Sequence, residues 1–355
     1  MRILVIGGTG FIGPAVVHSL IESGHDNDVT LFHRGQTEAD FAPEVKHIHC
    51  NDVPPAHLGW KIQGLPDFVS EFSSFAPDVV LDMVPIGEQD ARVVMNTFRG
   101  IARRVVALSS EDVYRAYDRL RRSDPGPPDP TPLTEDSPLR EKYYPYRSNP
   151  LRSLDDPSKW QDEYDKILAE RVVMSDPALP GTILRLPMVY GPRDYQHRLF
   201  EYLKRMDDQR PAILLDETIA NWRWTRGYVE DVAQAIVLAV TQDHAAHRIY
   251  NVGEPHALSI AEWVRAIGNA AGWHGEIIAV PQDRLPTHMV MGLDTSQDWQ
   301  VDTTRIRQEL GYSEAIPSDE ALKRTIAWER AHPPHDIDPK QFDYAAEDTL
   351  LTQLK

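Results

Sequence analysis

The feature that most constrains the fold is a glycine-rich turn placed directly after a short apolar run at the start of the chain. Residues 3–6 read ILVI, as expected of a central strand covered on both faces of a sheet. Gly7, Gly10 and Gly13 follow with G-x-x-G-x-x-G spacing, and Pro14 suits the first turn of a helix. This order predicts a dinucleotide site, because a helix N-terminus offers unpaired N–H groups to a pyrophosphate.

The turn and two later positions supply the predicted cofactor contacts. Arg34 follows the second predicted strand, where a carboxylate would hold the ribose of NAD and an arginine meets the 2′-phosphate of NADP. The sequence therefore favours NADP, with NAD possible. Asp52, after the third strand, is placed to hydrogen-bond the adenine. The contacts expected from the turn itself are Gly7, Thr9, Gly10, Phe11, Ile12 and Gly13.

Short β-branched runs alternate with helix-like stretches over residues 1–110, which predicts a doubly wound parallel sheet of the Rossmann type. We expect an α/β protein with a smaller, discontinuous α/β substrate domain. The predicted cofactor domain is 1–178 with 227–256, and the substrate domain is 179–226 with 257–332. Residues 333–355 lack an apolar period and are expected to form a loosely attached tail.

Composition narrows the functional class. The 37 Lys and Arg against 54 Asp and Glu give a net charge of −17, which makes broad attraction to nucleic acid or anionic lipid unfavourable. The one cysteine favours a reducing compartment, and the apolar start is too short for a signal peptide, so we expect a cytoplasmic protein without a membrane segment.

Residues 115–160 are rich in proline and are expected to form a long loop. Loops of this length are commonly disordered or act as lids over a site. The interleaved Tyr143, Tyr144, Tyr146 and Trp160 favour at least partial packing of this one.

Several motifs occur in register along the chain. They are VVALSSEDVY at 105–114, LRLPMVYGPRD at 184–194, YVEDVA at 228–233 and YNVG at 250–253. Together they resemble the extended short-chain dehydrogenases/reductases, the NAD-dependent epimerase/dehydratase group, over residues 1 to about 332. The resemblance implies a catalytic serine at Ser110, cofactor contact at Pro187 and pairing of subunits into a homodimer. It also implies an NAD(P)-dependent oxidoreductase or epimerase/dehydratase-like enzyme acting by hydride transfer on a sugar-nucleotide or similar hydroxyl or carbonyl substrate.

The sequence departs from the group's Tyr-x-x-x-Lys pair. Alignment on Lys166, which the resemblance assigns to the nicotinamide ribose and to catalysis, puts Asp162 where tyrosine belongs. Tyr164 is two residues from Lys166, about 200° around an ideal helix. Three alternatives follow. Tyr164 reaches Ser110 from a distorted helix start; a loop tyrosine or Asp162 replaces it as acid/base; or the chain is a non-catalytic NADP(H) sensor or RNA-binding protein.

The remaining candidates concern substrate and metal. Arg223 and Arg226 flank the position at which the group holds a nucleotide-sugar diphosphate, so we expect one of them to contact substrate. His47 and His49 share one face of a strand and Cys50 the other, without a second ligand cluster in the sequence. No metal site is expected.

Overall fold

The computed structural model describes residues 1–23, 26–37, 39–50 and 59–354. Its strands are β1 (Arg2–Ile6), β2 (Asp28–His33), β3 (Lys46–His49), β4 (Val79–Asp82), β5 (Arg104–Ser110), β6 (Gly181–Leu186), β7 (Met188–Tyr190), β8 (Ala212–Asp216), β9 (Arg226–Tyr228), β10 (Arg248–Asn251) and β11 (Glu276–Val280). Its α-helices are α1 (Gly13–Glu22), α2 (Trp60–Gly64), α3 (Val69–Phe75), α4 (Glu88–Phe98), α5 (Arg115–Leu120), α6 (Lys166–Val173), α7 (Phe200–Asp207), α8 (Glu217–Asn221), α9 (Val229–Thr241), α10 (Ile260–Ala271), α11 (Thr304–Leu310), α12 (Ser318–Ala331) and α13 (Tyr344–Leu354).

Seven strands form one sheet in the order β3-β2-β1-β4-β5-β6-β10, and every neighbouring pair is parallel. The alternation of side chains along β1 explains its two covered faces. Ile3 and Val5 join the core beneath α1 and α9, whereas Leu4 and Ile6 join the core beneath α4. The predicted doubly wound Rossmann sheet is confirmed, and the carboxyl ends of its strands share the edge where such sheets bind ligands.

The smaller part contains the parallel pair β8–β11, packed with α7, α8 and α10. A second short pair, β7–β9, links the two parts. The predicted boundary at residue 179 needs a correction, because β6 lies inside the large sheet between β5 and β10. The chain therefore leaves the cofactor part after Leu186. The other domain boundaries stay predictions.

The C-terminal segment is docked, so the prediction of a loosely attached tail was wrong. In α13 the Glu347 carboxylate forms a buried ion pair with Arg205 at 2.8 Å. Leu350, one turn away, packs in a buried cluster with Leu214 and Val280. No helix in the described part of the chain combines the length and apolar character needed to span a bilayer.

Candidate active site

The glycine turn between β1 and α1 brings backbone close to backbone. Gly7 and Gly8 have φ values of +92° and +95°, a region that side chains strain to adopt. A Cβ on Gly13 would lie 2.2 Å from the carbonyl oxygen of Gly8, so only glycine lets α1 begin there. A Cβ on Gly10 would meet nothing within 4 Å, because that backbone faces open space.

That space is a cavity of about 400 Å³ at the carboxyl edge of the sheet. Residues of the glycine turn line one side, and residues from five later segments of the chain line the rest. Its principal lining residues are Gly8, Gly10, Phe11, Ile12, Gly13, Ser110, Tyr164, Lys166 and Pro187. Two other predicted cofactor contacts, Gly7 and Thr9, do not line the cavity. Gly7 faces Val84, and the Thr9 hydroxyl contacts the Thr37 hydroxyl at 2.7 Å. A glycine cradle open to a cavity beside a helix N-terminus fits a dinucleotide pyrophosphate.

Tyr164 lies before α6, not within it. The helix begins at Lys166 because the Asp165 carboxylate caps it, accepting a hydrogen bond from the Leu168 N–H at 3.1 Å. The predicted angle between Tyr164 and Lys166 requires one ideal helix through both residues, but the helix starts only at Lys166. Outside a regular helix the angular argument against the pair lapses, and the Lys166 Nζ lies 5.5 Å from the centre of the Tyr164 ring.

Two backbone carbonyl oxygens fix the position of the Lys166 ammonium group. Its Nζ donates to the carbonyls of Pro85 at 2.7 Å and Leu108 at 3.1 Å. Burial lowers the pKa of Lys166 to about 8, against the opposing charges of Asp112 and Asp82. A buried ammonium at this edge is positioned to bind a hydroxyl group in the cavity.

The Tyr164 hydroxyl donates to Oδ2 of Asp112 at 3.0 Å, and Tyr146 donates to the same oxygen at 2.9 Å. Burial, followed by the Asp112 charge, raises the pKa of Tyr164 well above its ordinary value, while the Ser110 side chain acts in the opposite sense. Burial also raises the pKa of Asp112, although Arg140 and both phenols oppose the rise. Sequence reasoning missed Asp112, despite its position just past the end of β5.

A second cavity, of about 830 Å³, adjoins the first. Ser110, Tyr164 and Pro187 line both, so the two form one continuous cleft. Glu111 lines the larger cavity; its carboxyl oxygens are buried without a hydrogen-bond partner among the described residues, and burial raises its pKa well above the ordinary value. Aromatic rings dominate the remaining walls: Tyr117, Tyr146, Trp160, Tyr195, Trp222, Trp224 and Trp299.

The sequence model of the NAD-dependent epimerase/dehydratase family matches residues 3–253. The chain belongs to this family. It is 29% identical over 144 residues to dTDP-glucose 4,6-dehydratase of Streptomyces griseus, a match that spans 40% of each chain. Over 349 residues it is 23% identical to UDP-N-acetyl-alpha-D-glucosaminuronate decarboxylase of Bacillus cytotoxicus, covering 93% of this chain and 98% of that one.

Among solved structures, UDP-glucose 4-epimerase of Thermus thermophilus in complex with NAD aligns with a TM-score of 0.62. The two chains are 20% identical, and the alignment covers 94% of this chain and 100% of the other. Members of the epimerase/dehydratase family are enzymes that use a nicotinamide dinucleotide. The comparisons confirm two predictions from the sequence motifs: that the chain belongs to the epimerase/dehydratase group, and that it is an enzyme. The family match and the NAD-bound neighbour support an NAD(P) cofactor.

Within this epimerase/dehydratase chain, two of the three loop tyrosines considered as acid/base candidates lie apart from the cavities. Tyr143 is exposed and accepts a hydrogen bond from Arg171 at 2.6 Å. The backbone N–H of Tyr144 donates to Asp165, and its ring is covered by a guanidinium group. Of the three neighbouring loop tyrosines, Tyr146 alone lines the larger cavity.

Asp162 organises the proline-rich loop. Its carboxylate accepts hydrogen bonds from Ser148 at 3.0 and 3.1 Å, from the Arg152 backbone at 2.9 Å and from Lys159 at 3.2 Å. Burial acts to raise the pKa of Asp162, but these hydrogen bonds outweigh it and the pKa is lowered. Asp162 lines neither cavity, whereas Trp160 from the same segment forms part of the cleft wall.

The predicted substrate arginines do not reach the cleft. Arg223 forms an ion pair with Glu262 at 3.1 Å. Arg226 is buried, donates hydrogen bonds to the carbonyls of Trp224 and Leu258, and stacks on the ring of Trp263. Sequence spacing placed these arginines on either side of the expected substrate position, but Arg226, at the start of the short strand β9, is buried in the core. Two arginines that the sequence did not single out, Arg121 and Arg198, line the larger cavity instead.

Of the two predicted adenosine contacts, the structure describes only Arg34. Arg34 immediately follows β2, and its Nη1 is buried with no hydrogen-bond partner in the parts of the chain described. Its guanidinium carbon lies 5.9 Å from the ring centre of Trp60. Asp52 lies outside the described residues.

Proposed function

We propose that this chain is an NAD(P)-dependent epimerase/dehydratase-type oxidoreductase acting on a sugar-nucleotide or similar hydroxyl or carbonyl substrate. One observation carries the proposal. The glycine cradle, Ser110, Tyr164 and Lys166 line a single cavity, and that cavity opens into a larger one with the same serine and tyrosine at the junction. A cofactor in the first cavity and a substrate in the second would meet at Ser110 and Tyr164.

Each junction residue has a role that its contacts support. A bound nicotinamide dinucleotide supplies the hydride acceptor or donor. Lys166, fixed by two backbone carbonyls, would donate to a ribose hydroxyl. The Ser110 hydroxyl would orient the reacting oxygen of the substrate, and the Tyr164 hydroxyl would exchange a proton with it.

Asp112 gives the phenol a proton acceptor. As the carbon that bears a substrate hydroxyl loses hydride, the hydroxyl proton would pass to the Tyr164 oxygen. The phenolic proton of Tyr164 would pass to Oδ2 of Asp112 at the same time. The raised pKa of Asp112 brings that carboxylate closer to the pH at which it can hold the proton. Tyr146 and Tyr117 continue the hydrogen-bonded chain outward to Arg121, over contacts of 2.9, 2.8 and 3.2 Å.

We propose NADP rather than NAD as the preferred cofactor. Arg34 has unused donor capacity at the end of β2, and an arginine there suits a 2′-phosphate. Replacing it in an Arg34→Gln variant should weaken NADPH binding about tenfold or more while NADH binding changes little, as measured by fluorescence titration. Equal losses for both cofactors would contradict the assignment. A cytoplasmic setting and a homodimer complete the proposal as sequence-based predictions.

The test of function is turnover of a panel of nucleotide sugars with NAD⁺ or NADP⁺, followed by mass spectrometry. Tyr164→Phe should slow any reaction of the wild-type protein by about 100-fold or more and leave cofactor binding unchanged. Tyr143→Phe is the matched control, since that exposed phenol lies outside the cleft. Tight cofactor binding without turnover of any hydroxyl or carbonyl substrate would favour a sensor.

A further inference from the structure

Three histidines from two neighbouring strands meet on one face of the sheet, and none of them lines either cavity of the cleft. His33 ends β2 and pairs in register with His49, which ends β3. His47 lies two residues earlier on β3 and therefore points to the same face as His49. The sequence places His47 and His49 together, but only the strand pairing adds His33.

The three imidazoles form a compact triangle. Ring centres of His33 lie 5.1 Å from His47 and 4.5 Å from His49, and the remaining pair is 5.7 Å apart. One ring nitrogen from each residue falls within 4.8 Å of the other two. His33 Nε2 and His47 Nδ1 are already 2.9 Å apart.

These separations are near those of a metal site. Zinc–nitrogen bonds of about 2.0–2.1 Å in a tetrahedral site place ligand nitrogens roughly 3.4 Å apart. The nitrogen atoms of the triangle lie at most 4.8 Å apart, which exceeds that spacing by about 1.4 Å at most, and the His33–His47 pair at 2.9 Å falls about 0.5 Å short of it. His49 is exposed and His47 is partly exposed, so an ion has access from solvent.

We propose that His33, His47 and His49 form a site for a borderline divalent metal ion of the Zn²⁺ class. Neutral imidazole suits zinc, copper and nickel, whereas hard ions such as Mg²⁺ prefer oxygen ligands. Three protein nitrogens leave a fourth position for water. The net charge of −17 favours the approach of a cation to the protein.

Binding would also act on the segment that begins with Arg34. The Gly35 N–H lies 3.3 Å from Nδ1 of His33, and this contact needs an unprotonated Nδ1. Coordination through Nε2 moves the ring proton to Nδ1 and removes the acceptor. The site is thus connected by one hydrogen bond to the turn that follows β2.

The experiment titrates tag-free, full-length protein with Zn²⁺ by calorimetry and with Co²⁺ by visible absorption. Wild-type protein should bind one equivalent of Zn²⁺ in the micromolar range, and Co²⁺ should develop the ligand-field bands of nitrogen coordination. His47→Gln and His49→Gln should each weaken binding tenfold or more. His335→Gln is the matched control, because that histidine is almost fully exposed and distant in sequence.

Both variants alter partly exposed positions on the edge strand β3, and far-UV circular dichroism would establish that each is folded. If either one failed to fold, the other would still give the answer. Binding that persists unchanged in a folded His47→Gln or His49→Gln protein would overturn the proposal. So would wild-type protein that binds no Zn²⁺ at 100-fold molar excess, or that loses its binding in His335→Gln.

Discussion

Lys166 gives the structure a measurable pH dependence of stability. Burial lowers its pKa from 10.5 to about 8. Below pH 8 the lysine is charged in both the folded and the unfolded chain, and the folded chain carries the cost of burying that charge. At about 1.36 kcal/mol per pH unit, the cost is about 3 kcal/mol.

Between pH 8 and 10.5 the unfolded chain binds more protons at this lysine than the folded chain does, so the free energy of unfolding rises with pH. From pH 8 to pH 10 the Lys166 contribution to the rise is about 2 kcal/mol. Other groups titrate in the same window, and the comparison of wild type with Lys166→Met cancels the contribution of those that do not interact with Lys166.

Urea unfolding of the wild type and of Lys166→Met, each at pH 8 and pH 10, isolates that contribution as a double difference. The variant should show a smaller rise in unfolding free energy with pH, by about 2 kcal/mol. Lys46→Met is the control, because the Lys46 side chain is 62% exposed. An identical pH response in wild type and Lys166→Met would refute the reasoning that a charged lysine is buried beside Tyr164.

Three further predictions concern the site and its support. Asp112→Asn should lower kcat about 100-fold, with cofactor affinity held within about twofold in a fluorescence titration; unchanged kcat would remove Asp112 from the proton path. Gly13→Ala should weaken cofactor binding at least tenfold, because its Cβ would overlap the Gly8 carbonyl at 2.2 Å; wild-type affinity would contradict the cradle. Glu347→Ala should lower the free energy of unfolding by about 3 kcal/mol, since it leaves the Arg205 charge buried and unpaired. A change below about 0.5 kcal/mol in urea unfolding would show that α13 is not firmly docked.

The cofactor half could be predicted because its signals are local. The apolar β1, the glycines at fixed spacing and the helix after them are adjacent in sequence, and together they determine one supersecondary unit. The motif at the end of β5 likewise located Ser110. These features depend on short-range geometry that a single sequence carries.

The proposed proton-transfer group of Tyr164 and Asp112 could not be located in this way, because its geometry depends on contacts between residues distant in the sequence. The Asp165 cap fixes the start of α6, and Asp165 also accepts a hydrogen bond from the Tyr144 backbone, 21 residues earlier. Asp112 meets Tyr146 and Tyr164 across separations of 34 and 52 residues. Helix periodicity carries no information about such meetings.

A crystal structure of the protein with NADP⁺ bound would test most directly whether Ser110, Tyr164 and Lys166 form the active site. We expect the nicotinamide ribose to lie within roughly 3.2 Å of the Lys166 Nζ, with the Tyr164 and Ser110 hydroxyls facing the reactive carbon of the ring. A nicotinamide ring bound away from Tyr164, or separated from it by other side chains, would contradict the proposed role of Tyr164.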